Sequence, residues 1–312
     1  MKIILNLLIF CLVLFIYLHI HFHNKTCNDL ELYEIELPSK DKLEEICDLR
    51  QPVVFEYFVD SIMTSCNQKT IQNTYGAFSV KIRNLTDIIG SDEEMYIPIS
   101  FTSALDASKA DNDKKYLIEA GDDFLEETAM IKILKYNDSF IRPHMVSKCM
   151  YDILWGCEGL RTPFKYELNY RNYFMVTEGS IKIKMAPPKS SKYLHKHSDY
   201  ENFEFRSPIN PWDIQKQYKD DFDKIKCLEV VVNKGFIIHL PAFWWYSIEF
   251  GKETTIVSLK YRTYMNTCAI LPKLLLKALQ SQNVKRQIVN IKHITNNNEI
   301  KNNIIKGINF NI

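Results

Sequence analysis

Apolar residues follow three regimes along the chain. Residues 3–20 are apolar throughout except for Asn6 and His19. Residues 51–262 carry short apolar runs, several of them alternating, separated by Gly, Pro and charged clusters. Residues 265–282 gather Ile270-Leu271 and Leu274-Leu275-Leu276, and residues 283–312 are rich in Asn, Lys and Ile. Alternation with period two marks a strand with one buried face. Its clearest case is residues 172–185, where Ile181, Ile183 and Met185 alternate with Lys182 and Lys184, and Gly179 supplies a hairpin turn. Pro187-Pro188 ends the second strand. Further strands are predicted at 51–58, opened by Pro52, at 80–83, at 129–136 and at 254–261. Residues 228–232 and 236–240 read as a strand, a turn at Asn233-Lys234-Gly235, and a returning strand. Residues 103–115 and 189–223 read as loops. A short helix is predicted around 40–49, after a polar, acidic stretch, and an apolar helix over 265–282, interrupted near Pro272. The tail 283–312 reads as poorly ordered. Together these predict a mostly β, α+β fold in which strands close or sandwich a core between terminal helices.

The first regime has a different meaning. As a helix, residues 3–20 reach ~27 Å, close to the ~30 Å hydrocarbon core of a bilayer. A cleaved signal peptide is the competing reading, but its apolar stretch should be shorter and end in small residues. This run ends Tyr17-Leu18-His19-Ile20-His21-Phe22-His23, whose rings suit a membrane interface. We therefore expect a retained single-pass anchor over 1–23 and contact with the membrane through residues 3–20. Lys2 and the terminal amine favour a cytoplasmic N-terminus, with the folded region across the membrane; Lys25 weakens that bias.

Composition excludes little. With 46% hydrophobic and 25% charged residues, the 312-residue chain is an ordinary globular one. A net charge of +1 provides no field that would select nucleic acid, and none is expected as a partner. The eight cysteines contain no C-x-x-C pair, which argues against a zinc ribbon, and their spacing fixes no disulfide pairing.

Gly235-Phe236-Ile237-Ile238-His239-Leu240-Pro241-Ala242-Phe243-Trp244-Trp245-Tyr246 resembles the JmjC branch of the cupins, in which a strand-turn-strand ends in Pro-x-x-Trp-Trp-His. Gln51-Pro52-Val53-Val54 is similar to that family's opening strand. Thr162-Pro163, Asn172 and Gly179 are similar to its iron-and-cosubstrate hairpin. Arg161-Thr162-Pro163, Lys192-Tyr193-Leu194 and residues 200–208 look closer still to cupin-like proteins of giant DNA viruses. The resemblance implies a double-stranded β-helix (jelly-roll) barrel. It divides the chain into an anchor (1–23), a stalk and short helix (24–50), a cupin/JmjC-like domain (51–264) and a C-terminal helical segment with a polar tail (265–312). It also implies that the 265–282 helix mediates homo-oligomerisation; with the N-terminus in the cytoplasm, the domain is expected in a lumen, outside the cell or in a virion membrane.

The family's ligands are missing. Its Fe(II) is held by His-x-Asp on one strand and a distant His on another, leaving positions open for 2-oxoglutarate and oxygen. The distant His falls on Tyr246. The His-x-Asp falls on Lys165 and Glu167 if one residue is inserted before Asn172, and on Tyr166 and Leu168 if not. A lysine facing a dication at ~3 Å costs on the order of 10 kcal/mol at an effective dielectric of ~20. Lys165 and Glu167 are instead expected to pair with each other and to receive the Tyr246 hydroxyl. The family's cosubstrate lysine falls on Ile181, next to Lys182, which leaves Thr162 and Asn172 as carboxylate contacts. The tryptophans are expected to fill the barrel mouth.

The pocket candidates are thus Thr162, Lys165, Glu167, Asn172, Lys182, Trp244, Trp245 and Tyr246. A rearranged metal site would need His195, His197, Asp199 or His239; the first three lie in the 189–223 loop, and strand alternation from Tyr246 points His239 to the opposite face. The expected function is a membrane-anchored, non-catalytic binding or structural module with no cofactor and an unspecified ligand. The alternative is a hydroxylase dependent on Fe(II) and 2-oxoglutarate. A purely structural membrane protein that self-associates through 265–282 is the third reading.

Overall fold

A computed structural model describes residues 2–85 and 96–281. Its first element, α1 (Lys2–Asn24), is a helix long and apolar enough to cross a membrane. The chain continues through β1 (Tyr33–Ile35), α2 (Lys40–Cys47) and β2 (Val53–Glu56). Next come α3 (Asp60–Ser65), α4 (Gln68–Tyr75), β3 (Ser79–Asn84), β4 (Ile97–Ser100), α5 (Phe101–Lys109), β5 (Tyr116–Glu119), α6 (Gly121–Glu127) and α7 (Met130–Asn137). Ten strands and one short helix follow: β6 (Val146–Gly156), β7 (Lys165–Tyr166), β8 (Arg171–Glu178), β9 (Ser180–Ala186), β10 (His197–Asp199), β11 (Glu204–Arg206), α8 (Lys219–Phe222), β12 (Leu228–Asn233), β13 (Phe236–Leu240), β14 (Trp245–Phe250) and β15 (Thr254–Thr263). The described part ends with α9 (Tyr264–Ala269) and α10 (Leu271–Ser281). Gln282 and the tail 283–312, for which disorder was expected from composition, lie outside the described residues.

The strands form two sheets. One has the order β1-β2-β13-β8-β15-β6-β5-β3-β4, the other β10-β11-β7-β14-β9-β12. The central strands alternate between them, so β6, β8, β13 and β15 share one sheet while β7, β9, β12 and β14 share the other. Period-two side chains then meet face to face. Phe174, Val176, Ile238 and Ile256 of the large sheet pack against Ile181, Ile183, Met185 and Ile248 of the small one. The opposite face of the large sheet, with Tyr173, Met175, Ile237 and Leu259, is covered by Leu43, Ile62, Ile71, Phe101, Leu125 and Leu134 from the helices. Because both of its faces are buried, the interior of β8 reads as a continuous apolar run rather than a clean alternation.

The helices are set by side-chain caps. Ser39, Asn67, Ser100 and Thr263 each accept a hydrogen bond from a backbone N–H of the first turn of α2, α4, α5 and α9. Arg171 of β8, 1% exposed, reaches the other end of α2, where its guanidinium donates to the carbonyls of Glu44 and Cys47 and to Asp48. It thereby satisfies carbonyls that a helix end leaves unpaired. All eight cysteines are unpaired thiols.

Several local expectations are corrected. Residues 129–136 form α7, not a strand; Met130 and Leu134, one helical turn apart, are the residues it buries. Of the loop expected over 103–115, residues 103–109 belong to α5, which turns Phe101, Ala104, Leu105 and Ser108 inward at helical spacing, while 110–115 do connect α5 to β5 as a loop. The 189–223 segment is not a structureless loop either. It carries β10, β11 and α8 and lays Leu194, Phe205, Ile209 and Phe222 against the outer face of the small sheet. Finally, β12 and β13 do not pair with each other. β12 lies beside β9, β13 lies between β2 and β8, and the chain crosses between sheets at Gly235, whose φ is +90°.

The hairpin predicted over 172–185 is not formed either: β8 lies in the large sheet between β13 and β15, β9 lies in the small sheet between β14 and β12, and the chain crosses from one sheet to the other at Gly179. The Gly179 φ of +70° suits glycine, and a Cβ there would lie 2.5 Å from Thr254 Oγ1 and 2.6 Å from the Lys252 carbonyl oxygen. Gly179→Ala is expected to cost about 2 kcal/mol or more, read as a lowered urea midpoint with an unchanged slope.

Candidate functional site

At one end of the sandwich the apolar core gives way to charge. Glu167 follows β7 of the small sheet, and Lys260 projects from β15 of the large one. Lys260 Nζ lies 2.8 Å from Glu167 Oε1. The same oxygen accepts the Tyr246 hydroxyl at 3.1 Å, and Oε2 accepts Asn169 Nδ2 at 3.3 Å. Asn169 in turn accepts Arg262 Nε at 2.7 Å. Beside this group, Glu204 of β11 takes both guanidinium nitrogens of Arg83 from β3, at 2.8 and 2.7 Å, and Lys165 Nζ at 3.3 Å. Each carboxylate therefore belongs to the small-sheet side and each principal cation, Lys260 or Arg83, to the large sheet. The side chains of Glu167 and Lys260 keep 18% and 24% of their surface exposed, so this end is open to water.

The charges hold one another's protonation states. Burial alone would raise the Glu167 carboxyl, but the charges of Lys260 and Lys165 and the hydrogen bonds from Lys260 and Tyr246 outweigh it and hold it below the usual carboxylate range. Burial likewise works against charged Lys260, and Glu167 more than restores it, leaving the ammonium above its ordinary value. For Glu204, burial is overcome by Lys165 and by Arg83, so its carboxyl sits far below the ordinary range. Burial first, and then the charge of Glu167, push the Tyr246 phenol well above 10, so it is a neutral donor.

Of the residues singled out in the sequence, Glu167 and Tyr246 meet directly. Lys165 and Glu167 do not pair with each other as expected: their partners are Glu204 and Lys260. Glu167 finds its counterion on the facing large sheet, whereas Lys165 finds Glu204 on β11, the neighbouring strand of its own sheet. Thr162 sits at the edge of β14, where Oγ1 accepts the Ile248 N–H at 2.9 Å. Asn172 is buried and donates to the Leu240 carbonyl at 3.0 Å. Lys182 is on the outer face of the small sheet beside Glu229, away from this end.

The tryptophans do not line a mouth. Trp244 is 1% exposed, in the core between the sheets, with Nε1 donating to the Arg50 carbonyl at 3.0 Å. Trp245 is fully buried against the outer face of the small sheet, with Nε1 donating to Ser191 Oγ at 2.7 Å. Adjacent strand residues point to opposite faces, so both cannot reach one pocket.

The histidines are dispersed. His195 Nε2 lies 2.9 Å from Asp221 Oδ2 on the surface. His197 is exposed in β10, and Asp199 closes a turn by accepting the backbone N–H groups of Glu201 and Asn202. His239 is buried against Tyr173, on the helical side of the large sheet, while Tyr246 contacts Phe174 between the sheets. Burial, with Arg171 and Arg50 nearby, holds its imidazole well below its ordinary pKa, so the ring is neutral. Among the described residues no three His, Cys, Asp or Glu side chains converge as a metal site.

The donor set where the resemblance implies Fe(II) is one carboxylate bonded to an ammonium, an amide and a neutral phenol. It contains no imidazole and does not fit the two-histidine, one-carboxylate pattern. Lys260, Glu204 and Arg83 were not singled out by the sequence reading. A signal existed for Lys260, a lone cation within the otherwise uncharged run of residues 254–259 and Tyr261.

Near Lys260 sits one further carboxylate, Asp152 of β6. Its Oδ1 accepts Gly121 N–H at 3.0 Å and Ile153 N–H at 2.8 Å. Burial, and then repulsion from Glu119, push it up to about 7. Between the ordinary carboxylate value and about 7 the folded state holds a proton that the unfolded chain releases, so Asp152 lowers stability as pH rises through that window. Asp152→Asn keeps the acceptor oxygen and removes the charge. Its stability relative to the parent is expected to rise by on the order of 2 kcal/mol between pH 4 and pH 8, measured by urea unfolding at each pH.

A comparison with protein-family models agrees with this architecture. The cupin-like domain model matches residues 39–266, well over half of the chain, and the protein belongs to the cupin-like domain family.

Proposed function

We propose that this protein is a single-pass membrane protein whose cupin-like domain is a non-catalytic binding or structural module. The observation that carries the reading is the state of Glu167. Its two oxygens are taken by Lys260, Tyr246 and Asn169. A dication at that carboxylate would have to displace an ammonium and would find a phenol instead of a histidine. At ~3 Å and an effective dielectric of ~20, keeping that ammonium beside the ion would cost on the order of 10 kcal/mol.

Other features support the same reading. The alternation of strands between two facing sheets is the order expected of a cupin jelly roll. Its metal-bearing end is built here from paired charges rather than ligands. α1 suits a membrane anchor by its length and apolarity, and Lys2 favours an N-terminus in the cytoplasm, with the domain in a lumen, outside the cell or on a virion membrane. The open charged end, with Lys165, Lys260, Glu167 and Tyr246, suits a small carboxylate or a peptide terminus as ligand, since both signs of charge are presented at once.

The test is titration calorimetry of the purified full-length protein in detergent, with Fe(II) under anaerobic conditions and then with 2-oxoglutarate. We expect no saturable heat from either addition and no decarboxylation of 2-oxoglutarate above the buffer rate. Stoichiometric, tight Fe(II) binding would overturn the proposal in favour of a hydroxylase.

A further inference from the structure

Helix α10 is built the wrong way round for a helix facing water. Its residues turned toward the domain are Lys273, Leu274 and Lys277, the only ones of α10 that are partly buried. Lys273 Nζ lies 5.1 Å from the ring centre of Phe243 and 5.6 Å from that of Phe205, and Lys277 Nζ lies 5.3 Å from that of Phe203. These are distances at which a cation is attracted to an aromatic face. The opposite side carries Leu271, Leu275 and Leu279, spaced four apart on one face, with Leu276 beside them. They are 48%, 56%, 66% and, for Leu276, 45% exposed. In an amphipathic helix on a water-facing surface the leucines would point inward and the lysines outward. Here the cations are taken up by aromatic rings, and of the five leucines of α10 only Leu274 turns inward.

The surroundings say what these leucines meet. α9 leads directly into α10 and packs against α1, the membrane-crossing candidate. The last turn of α1 is docked on the domain: His23 is buried against Tyr170, and the guanidinium of Arg50 lies 5.0 Å from the ring centre of Phe22. Tyr264, at the start of α9, and Met145, whose carbonyl accepts the Tyr264 N–H, are 56% and 74% exposed. Both line one cavity of about 560 Å³ together with Phe15 and Leu18 of α1. Exposed apolar residues thus lie on the anchor, beside it at Met145 and Tyr264, and on α10, which is joined directly to the anchor's neighbour α9.

We propose that α10 lies against the lipid surface beside α1, with Leu271, Leu275 and Leu279 inserted among the acyl chains at the interface, so that the domain is held to the bilayer at two places. The inference rests on the reading of α1 as a membrane anchor. Continuity with α1 favours lipid over a second copy of the chain, because a dimer across α10 would leave Met145 and Tyr264 uncovered beside the anchor. Interfacial helices bind through such an apolar face. The arrangement also gives the lysines a role, since their aromatic contacts fix the rotation of the helix.

The test uses full-length protein reconstituted into vesicles made with phosphatidylcholine brominated in the upper part of the acyl chains. Three variants each add one tryptophan: Leu275→Trp on α10, Leu12→Trp on α1, and Val231→Trp on the outer face of the small sheet. Tryptophan emission is compared with the parent in brominated and unbrominated vesicles. The added emission at 275 and 12 is expected to be mostly quenched, and that at 231 unaffected. Quenching at 12 without quenching at 275 would overturn the inference and leave the anchor standing; self-association that shields position 275 would appear in this way, with cross-linking between copies. Absence of quenching at both positions would overturn the inference and the anchor reading together.

Discussion

The carboxylate of Glu167, held between an ammonium from one sheet and a phenol from the other, sets the character of the whole domain. The two sheets pack through apolar side chains along most of their length, and such packing tolerates no charge without a partner. At the end where β7, β14 and β15 converge, both faces present ionisable groups. Lys260 from the large sheet meets Glu167, and Arg83 from the same sheet meets Glu204. The pairs hold the sheets in register where hydrophobic contact has given way to water. The partial exposure of Lys260 and Glu167 lessens the cost of desolvating that pair, whereas Arg83 is buried and its cost is offset by two hydrogen bonds to Glu204.

This clasp also accounts for chemistry. Within the cupin-like family the chain keeps two facing sheets and the β14 strand that begins at Trp245, but the side chains at the open end serve each other. Tyr246 donates rather than ligates, because burial and the neighbouring carboxylate keep its proton in place. Lys165 is held by Glu204 and is not free to face a metal. A fold of this kind hosts many functions, and the site decides among them. This site is an arrangement of charges that pair with one another across and within the two sheets.

Much of the architecture is legible in the sequence, for a physical reason. Alternation at 181–185 and the glycine at 179 specify β9 and the turn before it locally, although β8 and β9 join different sheets instead of pairing as a hairpin, and the Gly235 to Tyr246 segment carries the family resemblance. The 129–136 segment is not legible, because its apolar spacing suits both a strand and a helix, and only packing of Met130 and Leu134 decides. Tryptophans 244 and 245 look like a matched pair in the sequence, yet alternation sends them to opposite faces. The partners in the charged cleft are separated widely along the chain, as Glu167 is from Lys260. Composition can show that such charges exist, but topology alone pairs them. The inward lysines of α10 were equally hidden, since their aromatic partners come from the 189–223 segment and from Phe243.

The domain thus emerges as a charge-clasped sandwich preceded by a helix long and apolar enough to cross a membrane, with its distinctive features at the open end and the leucine face of α10. The clasp is tested most directly by a double-mutant cycle on Glu167→Gln and Lys260→Met, with stability measured by urea unfolding at pH 7. A coupling energy of about 1–3 kcal/mol between the two positions is expected. Effects that add within about 0.5 kcal/mol would show that the pair does not hold the sheets, and would contradict the account.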